Sequence, residues 1–287
     1  MLIKSSGITD VGLKRKGNED SFSTDDHLGL YVVADGMGGH LAGEVASRVA
    51  VELINKCFRI WMDSGAAEET LYGYPDPSLS RNGNYILSSI RLANRVIHEL
   101  SSEHEKYHGM GTTVATLAVV PGRIIVANVG DSRIYMIRNG EIERLSKDHT
   151  IVAEQVESGI MSREEAEAST LKHILTRNLG SSENVKAEVF EIEPSNGDRY
   201  LLCSDGVTDL ISDEEILRMV TAEDNPEALC RKFIDEALKR GGHDNATLIS
   251  LFVTGMESQG AGLAENIGGL FADFFTSVHK AIGLFKP

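Results

Sequence analysis

Four aspartates stand where apolar runs end or begin. "VVADG" carries Asp35, "IIVANVGDS" carries Asp131 and "YLLCSDG" carries Asp205, while "GGHDNATLISLF" sets Asp244 just ahead of a run. One Asp-Gly after a strand is ordinary turn chemistry. Four such sites, joined by Glu19 and Asp20 in "NED", raise a shared physical problem. Carboxylates that converge within a few ångströms cannot all stay ionised without a cation. Oxygen ligands without histidine or cysteine partners select magnesium or manganese over zinc or copper. More than three carboxylates can hold two such ions, and a pair about 3.5–4 Å apart activates a bridging water and clamps a phosphoryl group for in-line displacement. The chemistry expected of this set is hydrolysis of a phosphate ester.

Rival devices are missing from the sequence. There is no GxxxxGK[ST] phosphate loop, "GMGGHL" fails GxGxxG at Leu41, and neither GxSxG nor a cysteine nucleophile signature occurs. Water activated by metal is then the natural attacker. A formal net charge of -15 with no basic run argues against nucleic acid as a partner. Cys57, Cys203 and Cys230 are scattered and odd in number, which fits a reducing cytoplasm rather than a disulfide framework. No segment approaches the ~18 consecutive apolar residues of a spanning helix, and the N-terminus lacks an apolar core of signal-peptide length.

The elements that must position the carboxylates are mixed. With 287 residues, 41% hydrophobic and 25% charged, a sizeable core is expected. Leu28–Ala34, Thr112–Val120, Arg123–Val129, Ile134–Arg138, Ala187–Ile192, Tyr200–Cys203 and Ala246–Val253 read as strands. "YMIRNGEIERL" reads as a hairpin turning at Asn139-Gly140. Gly43–Met62 and Tyr85–His104 read as long helices, the first with Val45, Val49, Leu53 and Ile54 at helical spacing. No strand–helix–strand rhythm repeats, which disfavours a doubly wound sheet.

Two stretches look peripheral. Ser64–Asn84, with its "PDP", glycines and serines, reads as a surface insertion between the helices. Apolar periodicity lapses over "GMESQGAG", so the main domain is expected to span 1–253 and a linker and tail 254–287. In the tail, Leu263, Ile267, Leu270, Phe271, Phe274, Phe275, Val278, Ala281, Ile282 and Phe285 form one stripe of an amphipathic helix. Its other face lacks the basic character of a lipid-seeking helix. The tail is expected to pack on protein, either the parent domain, a partner or a second subunit, with a membrane surface as the lesser alternative.

Taken in order, "TDVGLKRKGNEDSF", "VVADGMGGHLAGEVAS", "GMGTTVATLAV", "VANVGDSRIYMIRNG", "LSKDHT", "VESGIMSREEA", "ILTRNLG", "LLCSDGVTDLIS" and "GGHDNATLI" resemble the bacterial form of the metal-dependent protein phosphatases, the PPM or type 2C serine/threonine family. The likeness runs from about Thr9 to Val253. It implies an α+β fold: a central antiparallel β-sandwich flanked by helix pairs in α-β-β-α layers, with a cleft at one end. It implies that Asp35 bridges two metals, the Gly36 carbonyl binds one, and Asp205 and Asp244 complete the other. Asp131 and Asp205 match a pair that holds a weaker third ion. Glu19 and Asp20 match residues that bind a metal or orient its waters. Arg15, in RxxNED, matches an arginine that holds the substrate phosphate, a role its planar fork suits. Thr112 and Thr113 in "GTT" read as strand core rather than ligands. Residues 148–185 match a flap beside the cleft, and Ser162 with Glu165 sets a capping box inside it.

One position departs from the family. Many eukaryotic members carry histidine two residues after the bridging aspartate, a candidate general acid, where this chain has Met37. His40, whose ordinary pKa of about 6.5 suits proton transfer, and a water held by metal are the alternatives. The function expected is a cytoplasmic, magnesium- or manganese-dependent phosphatase of phosphoserine and phosphothreonine in proteins, the products of a serine/threonine kinase. A catalytically silent binding module of the same fold and a small-molecule phosphoesterase are the rivals.

Overall fold

A computed structural model describes residues 2–38 and 41–255. The amphipathic stripe of 263–285 and His40 lie outside the described residues.

The chain opens with β1 (Leu2–Asp10), β2 (Asp20–Asp25) and β3 (Leu30–Met37), followed by α1 (Leu41–Ser64) and α2 (Arg81–Glu103). Next come β4 (Gly111–Thr112), β5 (Val114–Val120), β6 (Arg123–Val129), β7 (Arg133–Arg138) and β8 (Glu141–Arg144). The flap region carries α3 (Ile151–Glu157) and α4 (Arg163–Ala168). After β9 (Glu188–Ile192) and β10 (Arg199–Cys203) come α5 (Asp205–Thr208), α6 (Asp213–Thr221), α7 (Pro226–Lys239) and β11 (Ala246–Gly255).

All pairings are antiparallel and build two sheets, one ordered β1-β11-β10-β7-β8, the other β2-β3-β5-β6-β9 with β4 beside β3. Side-chain alternation divides each central strand between two cores. From β3, Tyr31 and Val33 enter the core between the sheets with Leu202 and Ile249 from the other sheet. Leu30, Val32 and Ala34 point the opposite way, into the core under α1 and α2. Leu201 and Cys203 of β10 pack with Phe233 and Ile234 of α7 and Ile216 of α6 in a third core. The result is four layers, helix–sheet–sheet–helix. Because both faces of these strands are covered, "LYVVA" and "YLLC" read as unbroken apolar runs rather than alternating ones.

Local chemistry sets the element ends. α1 rests on the sheet through Ala42, Ala46, Ala50 and Ile54, a stripe of mostly small residues four apart, while Val45, Val49 and Leu53 are only partly buried beside it. Ser80 caps α2 by accepting the Gly83 N–H. Ser162 and Ser212 close capping boxes with Glu165 and Glu215 at α4 and α6. The β7–β8 hairpin turns at Asn139 and Gly140, both at positive φ, as a two-residue hairpin turn requires. Between α1 and α2, Ala66 and Leu71 are buried and Tyr74 is exposed. Among the described residues no helix is long and apolar enough to cross a membrane.

Candidate metal centre

The carboxylates gather where strands of the two sheets end together. Asp20 opens β2 and pairs in register with Asp35 near the end of β3. Asp131 follows β6, Asp205 begins the short α5 directly after β10, and Asp244 lies two residues ahead of β11. Electrostatics tie the group into one cluster. Burial raises the Asp35 pKa well above the usual carboxylate range, and Asp20, Asp205, Asp131 and Asp244 raise it further. Burial likewise lifts Asp205, helped by Asp244 and Asp209 and opposed by a side-chain hydrogen bond with Asp35. Asp131 is lifted by burial, then by Asp205 and Asp148. Asp20, Asp35, Asp131 and Asp205 thus share one low-dielectric space, with the more exposed Asp244 at its edge, and the repulsion among them makes the buried four harder to ionise.

The surroundings hold this cluster with neutral donors. Ser204 Oγ and Thr247 Oγ1 donate to Asp20 Oδ2 at 2.8 and 2.6 Å. Asp20 Oδ1 and Asp205 Oδ1 are buried with no hydrogen-bond partner. A buried acceptor with no donor calls for an explanation. Here the orphaned oxygens belong to carboxylates in an all-oxygen cluster, so the residues present fit hard divalent cations such as magnesium or manganese.

Backbone geometry around Asp35 is equally specified. Its N–H donates to Thr113 Oγ1 at 3.0 Å, and its carbonyl accepts from Thr113 N at 2.9 Å and Thr112 Oγ1 at 2.8 Å. Thr112 and Thr113 are buried and act on the Asp35 main chain. Gly36 donates its N–H to the Glu19 carbonyl at 3.1 Å. A Cβ on Gly36 would lie 2.1 Å from the Gly43 carbonyl oxygen and 2.5 Å from that of Glu19. Only glycine lets β3, the Glu19 loop and the first turn of α1 meet this closely. The Glu19 carboxylate reaches the same corner, since a Cβ on Gly43 would stand 2.2 Å from its Oε2.

Arg15 sits on the rim, its side chain half exposed, and donates from Nη2 to Asp244 Oδ2 at 2.6 Å. Two residues that sequence reasoning passed over build this contact. Gly12, at φ 74°, lies so near the Asp244 loop that a Cβ would be 2.2 Å from the Asp244 carbonyl oxygen. Asn245 accepts the Glu19 N–H at 2.8 Å and donates to the carbonyls of Val11 and Gly17 at 2.9 and 3.0 Å. The loop of residues 11–19 is thereby fastened to the start of β11.

A second cluster missed from sequence joins the flap to the centre. His173 Nδ1 is 3.9 Å from Asp205 Oδ2, and its Nε2 is 3.5 Å from Asp209 Oδ2. Asp209, one helical turn after Asp205, could have been noticed from "SDGVTD". His173 gave no signal, because only folding brings the flap to it. His40 lies outside the described residues.

Fold and site together define a class: a four-layer α-β-β-α sandwich with a cluster of carboxylates at one end. The family model described as Protein phosphatase 2C matches residues 14–240. The chain belongs to the protein phosphatase 2C family. It is 35% identical over 248 residues to Protein phosphatase PhpP of Streptococcus pneumoniae, covering 84% of this chain and 94% of that protein. Its structure is similar to that of the Streptococcus agalactiae serine/threonine phosphatase, with a TM-score of 0.77, 34% identity and coverage of 88% of this chain and 100% of the other. It is also similar to the catalytic domain of the serine/threonine protein phosphatase PstP in complex with two manganese ions, with a TM-score of 0.73, 31% identity and coverage of 88% and 99%.

Proposed function

We propose that this chain is a divalent-cation-dependent phosphatase acting on phosphoserine and phosphothreonine in proteins, opposing a serine/threonine kinase. The observation that carries the reading is the meeting of Asp20, Asp35, Asp131, Asp205 and Asp244 around buried carboxylate oxygens that have no protein donor. When bound, two magnesium or manganese ions and a weaker third would supply the positive charge that activates a water and neutralises phosphoryl oxygens.

The chain's own residues take the remaining roles. Asp35, Asp205, Asp244 and the Gly36 carbonyl are proposed to hold the two ions, and Asp131 with Asp205 the third. Glu19 and Asp20 orient the hydration of this set. Arg15 offers its fork from the rim, where a half-exposed guanidinium can move from Asp244 to two phosphate oxygens. His40 is the proposed proton donor to the leaving serine or threonine oxygen. Attack by water directly on phosphorus leaves no covalent phosphoenzyme. The catalytic unit is proposed to be residues 1–253, with 148–185 as the flap, 64–84 as a surface insertion and 254–287 as a partner-binding tail. Three free, buried cysteines support a cytoplasmic location.

A panel of phosphoserine, phosphothreonine and phosphotyrosine peptides beside nucleotide monoesters, each with manganese, magnesium or EDTA, tests the proposal. Turnover of the phosphoserine and phosphothreonine peptides that EDTA abolishes is expected. Turnover confined to nucleotide esters, or none with either metal, would overturn it.

A further inference from the structure

The root of the flap and the Asp131 loop meet at a buried side chain that the hydrolytic roles leave unused. His149 is 2% exposed and stands between β8 and α3. Its Nδ1 accepts the Gly130 N–H at 3.0 Å, and its own N–H donates to the Gly130 carbonyl at 2.9 Å. Two bonds therefore clamp the residue immediately before Asp131. The His149 carbonyl accepts the Thr176 N–H at 2.8 Å, and an isolated bridge pairs Thr150 with Leu175. The same residue thus holds the Asp131 backbone with one set of atoms and the returning arm of the flap with another.

The clamp is specific to one ring atom. Because the Gly130 N–H is a donor, Nδ1 must present its lone pair, which leaves the ring proton of the neutral imidazole on Nε2, 3.4 Å from Arg177 Nη1 and 4.0 Å from Glu188 Oε1. Burial and the Arg177 guanidinium hold the imidazole neutral, with its pKa lowered to about 4. Gly130 itself has φ 100° and no room for a side chain, since a Cβ would lie 2.6 Å from Thr113 Cγ2. Thr113 is also the acceptor of the Asp35 N–H. The backbone before Asp131 is therefore wedged between the threonine that holds Asp35 and the histidine that roots the flap.

We propose that His149 is a positioning residue for Asp131: its Nδ1 fixes the backbone from which the Asp131 carboxylate projects, and its carbonyl ties that backbone to the flap, so that cation binding at Asp131 orders the flap. The proposal rests on reading Asp131 as a cation ligand. Coupling of this kind is reciprocal, so whatever loosens the flap root should weaken the cation. Groups that orient a ligand without touching the ion typically alter metal affinity about 10–100-fold.

Manganese binding by titration calorimetry and hydrogen exchange of the flap amides are measured on the full chain and on three variants. His149→Asn keeps an acceptor near the Nδ1 position, whereas His149→Gln places its acceptor near that of Nε2. The weakest manganese site is expected to stay within about twofold of wild type in His149→Asn and to weaken about tenfold in His149→Gln. Metal-free melting temperatures should fall in both variants, because both lose the packed ring, and further in His149→Gln, which leaves the buried Gly130 N–H without its acceptor. Manganese should slow exchange over residues 150–176 in the wild type and in His149→Asn but not in His149→Gln. Equal manganese affinities in the two variants would overturn the proposal, and so would unchanged wild-type flap exchange on adding manganese, a result that needs no variant to fold. Asp131→Asn separates the underlying reading. If it leaves every manganese site intact, the ligand assignment fails and the proposal with it; if it weakens a site that His149→Gln does not, the positioning role alone fails.

Discussion

Replacing Asp205 by asparagine should make the metal-free protein more stable while removing its activity. The carboxyl is lifted from 3.8 to about 6, by burial first and then by Asp244 and Asp209. A carboxyl whose folded pKa is raised binds protons more tightly in the folded state, so its contribution is fully present below about pH 4 and is lost as pH rises through about 6. At about 1.4 kcal/mol per pH unit, the span from 3.8 to about 6 amounts to roughly 3 kcal/mol of destabilisation at pH 8 and about half of that at pH 5. Asparagine keeps the shape and removes the charge. At ~2–4 °C per kcal/mol for a domain of this size, Asp205→Asn should raise the melting temperature in EDTA by about 6–12 °C at pH 8, with about half that gain at pH 5. With saturating manganese the order should reverse, because the wild type gains stability from the ions and the variant loses a ligand. Turnover of a phosphothreonine peptide should drop by at least about a hundredfold, since cation charge at a phosphoryl group is worth several kcal/mol. Scanning calorimetry at the two pH values, with and without manganese, supplies the readout. A pH-independent stability difference, or near wild-type turnover at saturating manganese, would refute the reasoning.

Arg15→Lys keeps the charge but loses the fork, so kcat/KM on a phosphopeptide should fall about tenfold, or about 1.4 kcal/mol; an unchanged value returns Arg15 to the solvated rim. Gly12→Ala places a Cβ 2.2 Å from the Asp244 carbonyl oxygen at φ 74° and should displace the Arg15 loop. Its cost should exceed the roughly 1–2 kcal/mol of a left-handed alanine, and a variant matching wild type in melting temperature and kcat/KM would contradict that packing. Truncation after Gly255 should leave turnover of a small phosphopeptide nearly intact, because all proposed ligands precede it, while altering association state or partner capture. Loss of folding on truncation would instead make the tail part of the core.

Much of this arrangement was legible because central strands buried on both faces announce themselves. β3, β5, β6, β10 and β11 carry the apolar runs, and their ends carry Asp35, Asp205 and the loops to Asp131 and Asp244. β1 and β2 were not foreseen. Each lies at a sheet edge, and their sequences, "LIKSSGITD" and "DSFSTD", lack the apolar content of a doubly covered strand. The expectation of two long helices also left out α6 and α7, although Ser212 with Glu215 and Asn225 before Pro226 are plain start signals. Asp20 could be marked as acidic, but its partners Ser204 and Thr247 stand 184 and 227 residues away in sequence. Nothing local distinguishes those hydroxyls from any others in or beside strands. Asn245 and Gly12 were hidden for the same reason: their roles exist only between loops that folding brings together.

The choice of donors explains how such a centre can exist before any ion arrives. Asp20 belongs to one sheet, while Ser204 and Thr247 come from the other, so the hydrogen bonds at Asp20 Oδ2 join the sandwich across its open end. Hydroxyls can do this without neutralising the carboxylate, which a lysine or arginine in their place would do at the expense of cation binding. Arg133 lies close to Asp131 but is committed to Asp148, reached from Nε at 3.1 Å and from Nη2 at 2.8 Å. Among the described residues, Arg15 is the one arginine that hydrogen-bonds to any of the five aspartates, and it does so from the half-exposed rim. The interior therefore holds carboxyl groups that no fixed cation neutralises, while its geometry is set by neutral groups. Unpaired charge is costly in the metal-free fold, and the same cost favours ion binding. A hydroxyl-to-methyl change such as Thr247→Val would spare the charge but release Asp20 from one of its two donors, and its effect should therefore appear in metal affinity as well as in stability.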